Sequence, residues 1–289
     1  MKHFVVNLSK AVLLVLLAAL LCACEREAQP FSPTLSVHFL DVGEGDSIFI
    51  ELPEHKAMLV DAGDSYLGLD ITEYIQKAGY RKIDYLVATH PHADHIGSMS
   101  YIVRHMPVGD VYMPRVSEDS VPFRNLLSAL KEQGLTVKEG KAGVNILHSG
   151  ETSVDILAPE SIDEEELNNC SLVLKLTCGR HRVLLTGDME AKAMEMLDAD
   201  LGADVLKVAH HGSADALSES LLRRIAPRVA VISCGAGNDY GHPHADTVRL
   251  LTRSGVKIYR TDADKTVIVT SDGKTLKVTA GNPSMERGN

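Results

Sequence analysis

Residues 89–95 read Thr-His-Pro-His-Ala-Asp-His and follow the apolar run Asp84-Tyr85-Leu86-Val87-Ala88. The run reads as a buried strand, which places the cluster on a loop at a strand end. Loops at one edge of an α/β sheet are where side chains from separate parts of a chain converge. A lone histidine is usually structural. His90, His92, Asp94 and His95 stand within six positions and without basic neighbours. Neutral imidazoles and carboxylates are the ligands that borderline metals prefer. The spacing also suits two ions, with His90 and His92 facing one while Asp94 and His95 turn to the next.

Outward from this stretch, short β-type runs alternate with amphipathic segments. Residues 35–43, 47–52 and 57–63 read as strands ending in turns. Residues 69–80 have helical spacing and a glycine stop. Strands are expected at 83–90 and 108–114, and a helix over 123–134. Residues 171–179 and 181–188 read as a hairpin. Helices over 190–199, 217–227 and 244–255 alternate with strands over 203–213 and 229–235, and strands close the chain at 256–261, 266–273 and 274–280. This pattern predicts an α/β protein with helices covering sheets, spanning 35–281. Asp188, His210 and His242 each come soon after a predicted strand, like His90, so the edge that carries residues 89–95 should carry them too.

The chain has 289 residues, a formal net charge of −10, few aromatics and no Trp. That balance gives no general attraction to nucleic acid or an anionic membrane. A polyanionic substrate would need local positive charge, and a metal ion is one source. At the N-terminus a lysine-containing segment precedes the apolar run 11–21, which is short for a membrane span of about 20 residues. Leu21-Cys22-Ala23-Cys24 resembles a bacterial lipobox. The expectation is a signal peptide over 1–23, lipidation of Cys24, a polar tether over 24–34 and a membrane-anchored domain facing outside the cytoplasm. Plain secretion after cleavage near Ala23 is the alternative. A disordered tail is expected over 282–289. Cys170, Cys178 and Cys234 match no zinc-ribbon spacing and read as buried structural thiols.

The motif His-x-His-x-Asp-His-x-Gly at 90–97 resembles the signature of the metallo-β-lactamase fold. Leu59-Val60-Asp61-Ala62-Gly63, Leu184-Leu185-Thr186-Gly187-Asp188 and Leu206-Lys207-Val208-Ala209-His210-His211 resemble the other site-bearing segments, in the fold's order. From about Leu35 to Val269 the sequence resembles the C-terminal hydrolase domain of the ComEC family of DNA-uptake channels. The resemblance implies an αββα sandwich with a dinuclear site at one edge, holding zinc or manganese. It implies a stand-alone exported relative, since the channel's membrane-spanning segments have no counterpart here. By the same likeness the metal ligands are His90, His92, Asp94, His95, Asp188 as a bridge, and His210. His211 is then expected to line the substrate, although the order of that pair is open.

Two positions depart from the family. Where the fold usually supplies a third histidine to the first site, this chain has Asn168-Asn169-Cys170-Ser171. Asn169 and Ser171 are therefore expected beside the ligands or the substrate, with water or an amide oxygen completing the site. His148 reads as structural, in a turn between strands. At 261–267, Thr-Asp-Ala-Asp-Lys-Thr-Val, the family usually has glycine before the strand; a local change of turn is expected. Asp46 is expected to line the site and Asp61 to orient a ligand histidine. His242 and His244 are candidates to protonate a leaving group or bind a phosphate oxygen, and Asp94, His211, His242 and His244 form the expected catalytic set.

Two cations would supply a water nucleophile near neutral pH and offset charge on a phosphodiester. The expected function is therefore a metal-dependent phosphodiesterase or nuclease, with DNA among the candidate substrates and no protein partner inferable. Other hydrolases of the fold compete: phosphorylcholine esterase, lactonase or β-lactamase. A non-catalytic metal-binding protein is the more distant reading. Arg223, Arg224, Arg228 and Arg249 are candidates to line a groove. Crowding of like charges is expected around Asp188, so that its replacement by Asn should relieve the metal-free protein.

Overall fold

The computed structural model describes residues 35–162 and 165–281. The expected signal peptide, Cys24, the tether and the tail lie outside the described residues. Among the described residues no helix is long and apolar enough to cross a membrane.

Two mixed sheets stack face to face. The first contains β1 (Leu35–Phe39), β2 (Ile48–Leu52), β3 (Lys56–Val60), β4 (Ile83–Val87), β5 (Val108–Met113) and β6 (Val137–Glu139). The second contains β7 (Asn145–Ser149), β8 (Thr152–Ala158), β9 (Val173–Cys178), β10 (His181–Leu185), β11 (Val205–Lys207), β12 (Val229–Ile232) and β13 (Lys257–Arg260). The chain then returns to the first sheet with β14 (Val267–Ser271) and β15 (Leu276–Ala280). The strand orders are β15-β14-β1-β2-β3-β4-β5-β6 and β13-β12-β11-β10-β9-β8-β7. Each sheet is antiparallel in one half and parallel in the other: β3 to β6 run parallel, as do β10 to β13.

Residue alternation explains why both faces of the first sheet are covered. Val37, Phe39, Ile48, Ile50, Met58 and Val60 enter the core between the sheets. Their neighbours Phe49, Ala57 and Leu59 point the other way, into a second core. A strand with period two and apolar residues at both phases must be covered twice. Each Leu, Ile or Phe fully buried in this way contributes roughly 1.5–3 kcal/mol.

The helices supply the covers. They are α1 (Gly68–Lys77), α2 (Ala93–Ile96), α3 (Met99–His105), α4 (Val121–Glu132), α5 (Ala191–Met196), α6 (Glu219–Ile225), α7 (Ala245–Arg253) and α8 (Thr261–Asp264). Ile71 and Ile75 of α1, Ile102 of α3 and Leu126 of α4 cover the first sheet. Met194, Leu221 and Leu251 from α5, α6 and α7 cover the second. Ser120 and Ser218 cap α4 and α6 by accepting from the amides of Phe123 and Leu221. Such caps contribute about 1 kcal/mol each. The result is the αββα sandwich expected from the resemblance.

Some local expectations shift. The strand predicted over 203–213 ends at Lys207, and His210–Gly212 form a 3-10 turn. His148 lies within β7 and is exposed, instead of sitting in a turn. The stretch 89–95 is half loop and half helix, because α2 begins at Ala93.

Candidate metal centre

The residues that follow β3, β4, β10, β11 and β12 meet at one edge of the sandwich. Asp61 is the first residue after β3 and is fully buried, with a left-handed φ of 57°. Its Oδ1 accepts from the Thr89 amide at 2.8 Å, and its Oδ2 lies 2.6 Å from Thr89 Oγ1. The same Oδ2 stands 2.8 Å from His95 Nδ1. That bond turns His95 Nε2 inward, to 3.1 Å from Asp188 Oδ2. His211, also at a left-handed φ of 50°, is held through Nδ1 by the Ser233 carbonyl at 3.1 Å. Its Nε2 then stands 3.3 Å from both Asp94 Oδ2 and Asp188 Oδ2. Left-handed backbone at non-glycine residues costs about 1–3 kcal/mol and concentrates at functional sites.

His90 Nε2 and His92 Nδ1 converge at 3.0 Å, with the His90 ring centre 4.1 Å from that of His95, and His90 Nε2 lies 3.9 Å from Asp188 Oδ2. Asp188 is fixed from behind, its amide donating to Ser171 Oγ at 3.0 Å. Gly45 brings the neighbouring loop close. Its φ is 105°, and a Cβ there would stand 2.1 Å from the Asp94 carbonyl oxygen. Only glycine allows that approach.

The charge pattern is that of a cation site. Burial and His95 hold His90 well below its ordinary pKa, so it is a neutral imidazole with a lone pair to offer. Burial pushes His95 down, but Asp188, Asp94 and Asp61 more than offset it and raise it well above its ordinary value. His211 is likewise pushed up to about 10, burial being outweighed by Asp188 and Asp94. Burial pushes Asp188 up, while His95 and His211 hold its carboxyl well below the usual range. The same field that keeps protons on these imidazoles would hold metal ions.

The donor set fits that role. Asp94, His95, Asp188 and His211 offer ligand atoms within 4.8 Å of one another. His211 Nε2 and Asn168 Oδ1 are buried and make no hydrogen bond. Buried polar atoms without partners are rare enough to call for a ligand. Asp94, His95 and His211 would hold one ion, His90 and His92 another, with Asp188 between them.

The geometry exchanges the expected roles of the histidine pair. His211 enters the cluster, whereas His210 lines the cleft outside it, its Nδ1 3.6 Å from Asp215 Oδ1. The asparagines are exchanged as well. Asn168 lines the cleft, while Asn169 Oδ1 accepts from the Glu190 amide at 3.1 Å. His242 lines the cleft, its ring centre 6.0 Å from that of His211. His244 does not line it; its Nε2 faces the Tyr240 carbonyl at 3.3 Å. Asp46 is buried beside the cluster, paired with Lys207 at 2.5 Å. Glu44, bonded to His242 at 2.7 Å, and Lys207 were not singled out from the sequence. Lys207 sits four residues before His211 in an apolar run, and that placement was its signal.

The cleft over the cluster measures about 320 Å³ and is lined by Glu44, His92, Asp94, His210, Tyr240 and His242 among others. Among the described residues no Lys or Arg lines it. Arg228 pairs with Asp204, Arg249 with Asp246 and Arg223 with Glu219, and Arg224 bonds carbonyls of residues 195–199.

Known proteins agree with this architecture. The chain is 32% identical over 251 residues to ComE operon protein 3 of Bacillus subtilis, across 80% of its own length and 32% of that protein's. It is 31% identical over 274 residues to Recombination protein 2 of Haemophilus influenzae, across 87% of its length and 32% of the relative's. It therefore spans about a third of these relatives. Among solved structures, the metallo hydrolase Igni18 of Ignicoccus hospitalis superposes with a TM-score of 0.52 at 13% identity, over 81% of this chain and 98% of the other. The model of the Metallo-beta-lactamase superfamily matches residues 40–236, more than half of the chain. The fold, the convergent histidines and aspartates and this match make the chain a member of the metallo-β-lactamase superfamily of metal-dependent hydrolases.

Proposed function

We propose that the protein hydrolyses phosphodiesters, as a nuclease-type enzyme carrying two divalent ions, zinc or manganese. The observation that carries this reading is the cleft itself. Its lining includes the candidate ligands His92, Asp94, Asp188 and His211 and the His242–Glu44 pair, and among the described residues no Lys or Arg. A phosphate held there would depend on metal for its positive charge. The bound ions would supply a water nucleophile at neutral pH and offset charge on the phosphate oxygens.

The chain's own residues divide the remaining work. Asp61 fixes the tautomer and direction of His95, and the Ser233 carbonyl does the same for His211. Asn168 replaces an imidazole with an amide oxygen, which shifts preference towards harder ions such as manganese. His242, held by Glu44, stands where it can protonate a leaving alkoxide. The relatives support the substrate class: the name of the Haemophilus protein places it in recombination, a process of nucleic acids. The run before Cys24 supports work outside the cytoplasmic membrane on a lipid anchor. Loss of palmitate labelling in Cys24→Ser would support that placement, and unchanged labelling would refute it.

The test is a screen of bis-p-nitrophenyl phosphate, single- and double-stranded DNA, a lactone and a β-lactam, each with zinc, manganese and magnesium. Turnover of the phosphodiesters supports the proposal. Turnover of the lactone or β-lactam alone overturns it. His92→Ala and Asp94→Ala should each lose at least one ion and all turnover while keeping the fold.

A further inference from the structure

Lys207 is fully buried at the end of β11, a rare place for a lysine unless it is paired. Its Nζ lies 2.5 Å from Asp46 Oδ2 and donates to the Gly187 carbonyl at 3.1 Å. It also stands 3.6 Å from Asp188 Oδ1. The other oxygen of Asp188 is the one that faces the imidazoles: Oδ2 lies 3.1 Å from His95 Nε2, 3.3 Å from His211 Nε2 and 3.9 Å from His90 Nε2. The two oxygens of one carboxylate are thus sorted, Oδ1 to an ammonium and Oδ2 to the cluster.

Asp46, Asp61 and His95 form a second convergent group of ligand atoms. The Lys207 ammonium already stands against Asp46 there, so the group holds a side-chain cation in place of a third ion. An ammonium donates three hydrogen bonds and ligates nothing. Its two short contacts are to Asp46 and Gly187, and Asp188 Oδ1, 3.6 Å away and without a hydrogen bond, feels the ammonium through its charge.

We propose that Lys207 is a positioning residue of the metal centre, an internal cation that keeps Asp188 Oδ1 turned away so that Oδ2 alone serves both metal sites. The proposal rests on the two-metal reading given above. Without the ammonium, Asp188 is free to turn and chelate one ion with both oxygens, and the two sites lose their common ligand atom.

The test compares wild-type protein with Lys207→Met and with the double variant Lys207→Met/Asp46→Asn, using manganese as the probe. Lys207→Met alone strands Asp46 as a buried unpaired charge and should fold poorly. The double variant keeps the summed charge and the packing. Wild-type protein should bind two ions and give the electron paramagnetic resonance spectrum of an exchange-coupled pair. The double variant should bind the second ion about tenfold or more weakly, the size typical for partners that orient a ligand, and show signals of isolated ions. Wild-type affinity and a coupled spectrum in the double variant would overturn the proposal and make Lys207 only the counter-ion of Asp46. A crystal structure of manganese-loaded wild-type protein gives a test without mutation. Asp188 Oδ2 shared by both ions with Oδ1 on Lys207 supports the proposal, and both oxygens on metal refutes it. Wild-type protein that binds fewer than two ions per chain would instead remove the two-metal reading itself.

Discussion

His242 Nδ1 lies 2.7 Å from Glu44 Oε1, a bond between loops 198 positions apart in the chain. Glu44 is anchored in turn, its Oε2 accepting from the Gly235 amide at 2.8 Å. Asn238 braces the loop of His242 by donating to the His242 carbonyl at 2.6 Å and accepting from its amide at 2.9 Å. Nδ1 is therefore committed, and Nε2 is the nitrogen left for the cleft that His242 lines. The bond to Glu44 fixes the direction of the ring, and Nε2 is the atom through which a proton could pass to a leaving group.

The first prediction follows from that geometry. His242→Ala should keep both metals and slow DNA cleavage by about 10²–10⁴-fold. Bis-p-nitrophenyl phosphate should be spared, because nitrophenolate leaves without a proton. Glu44→Gln should shift the same substrates in the same direction by less. Steady-state rates on both substrates, with metal content measured in parallel, decide it. Equal losses on both, with metals retained, would remove the general-acid role.

Asp188 gives the second prediction, and here the structure reverses an expectation. Crowding of like charges would make Asp188→Asn a relief to the metal-free protein. In fact Asp188 is surrounded by His95, His211 and Lys207, and the two histidines depress its pKa against the effect of burial. A depressed carboxyl contributes stability above its unfolded pKa of about 3.9 and loses it as pH falls through the folded value. Asp188→Asn should therefore destabilise metal-free protein at neutral pH, by about 3 kcal/mol if it behaves as a broken buried pair. The deficit should shrink in acid. Turnover should fall by about 10² or more. Chemical denaturation of the metal-free variant at two pH values measures the first effect; a variant more stable than wild type would sink the argument.

The third prediction concerns protons. His211, with its pKa pushed up to about 10, is protonated at neutral pH when no metal is present. Its contribution to stability is complete below the unfolded value of about 6.5 and is lost as pH rises through about 10. Metal must displace that proton. Uptake of zinc or manganese at about pH 7 should therefore release protons, read as a dependence of the titration heat on the buffer's ionisation enthalpy. Metal-free protein should also lose thermal stability as pH rises above 7, and metal-loaded protein should not. Uptake with no buffer dependence would contradict the assignment of His211.

What the sequence disclosed follows physical lines. Residues 89–95 announced a metal site because four ligand residues, three histidines and an aspartate, in six positions have few other uses. Strand alternation and the glycine-stopped helices disclosed the layers. The short helix α3 escaped notice, since Met99, Ile102 and Val103 give only two turns of periodicity. The order of His210 and His211 could not be read, because it depends on a left-handed turn that swings the second residue inward. Glu44 and Lys207 act through partners far away in the chain: Glu44 through His242, and Lys207 through Asp46 and Asp188. Spacing alone does not carry such pairings.

The last prediction is remote from the cluster. Lys265 has φ 64° and ψ −157°, a region that essentially only glycine occupies. The resemblance noted above has glycine before this strand. A side chain there costs about 1–3 kcal/mol. What the lysine returns is small: its Nζ lies 3.2 Å from Asp41 Oδ2, with the lysine side chain 63% exposed. Exposed pairs contribute about 0–1 kcal/mol. The Lys265 amide donates to the Thr261 carbonyl at 3.0 Å, and glycine would keep that bond. Glycine also frees the unfolded chain, at about 0.5–1 kcal/mol. The balance favours Lys265→Gly by about 1 kcal/mol, or about 2–4 °C in Tm for a domain of this size. Lys265→Ala loses the ion pair while keeping the backbone strain, so it should not gain. Calorimetry of the three proteins separates strain from charge: a glycine variant no more stable than the alanine variant would show that the backbone at Lys265 stores nothing.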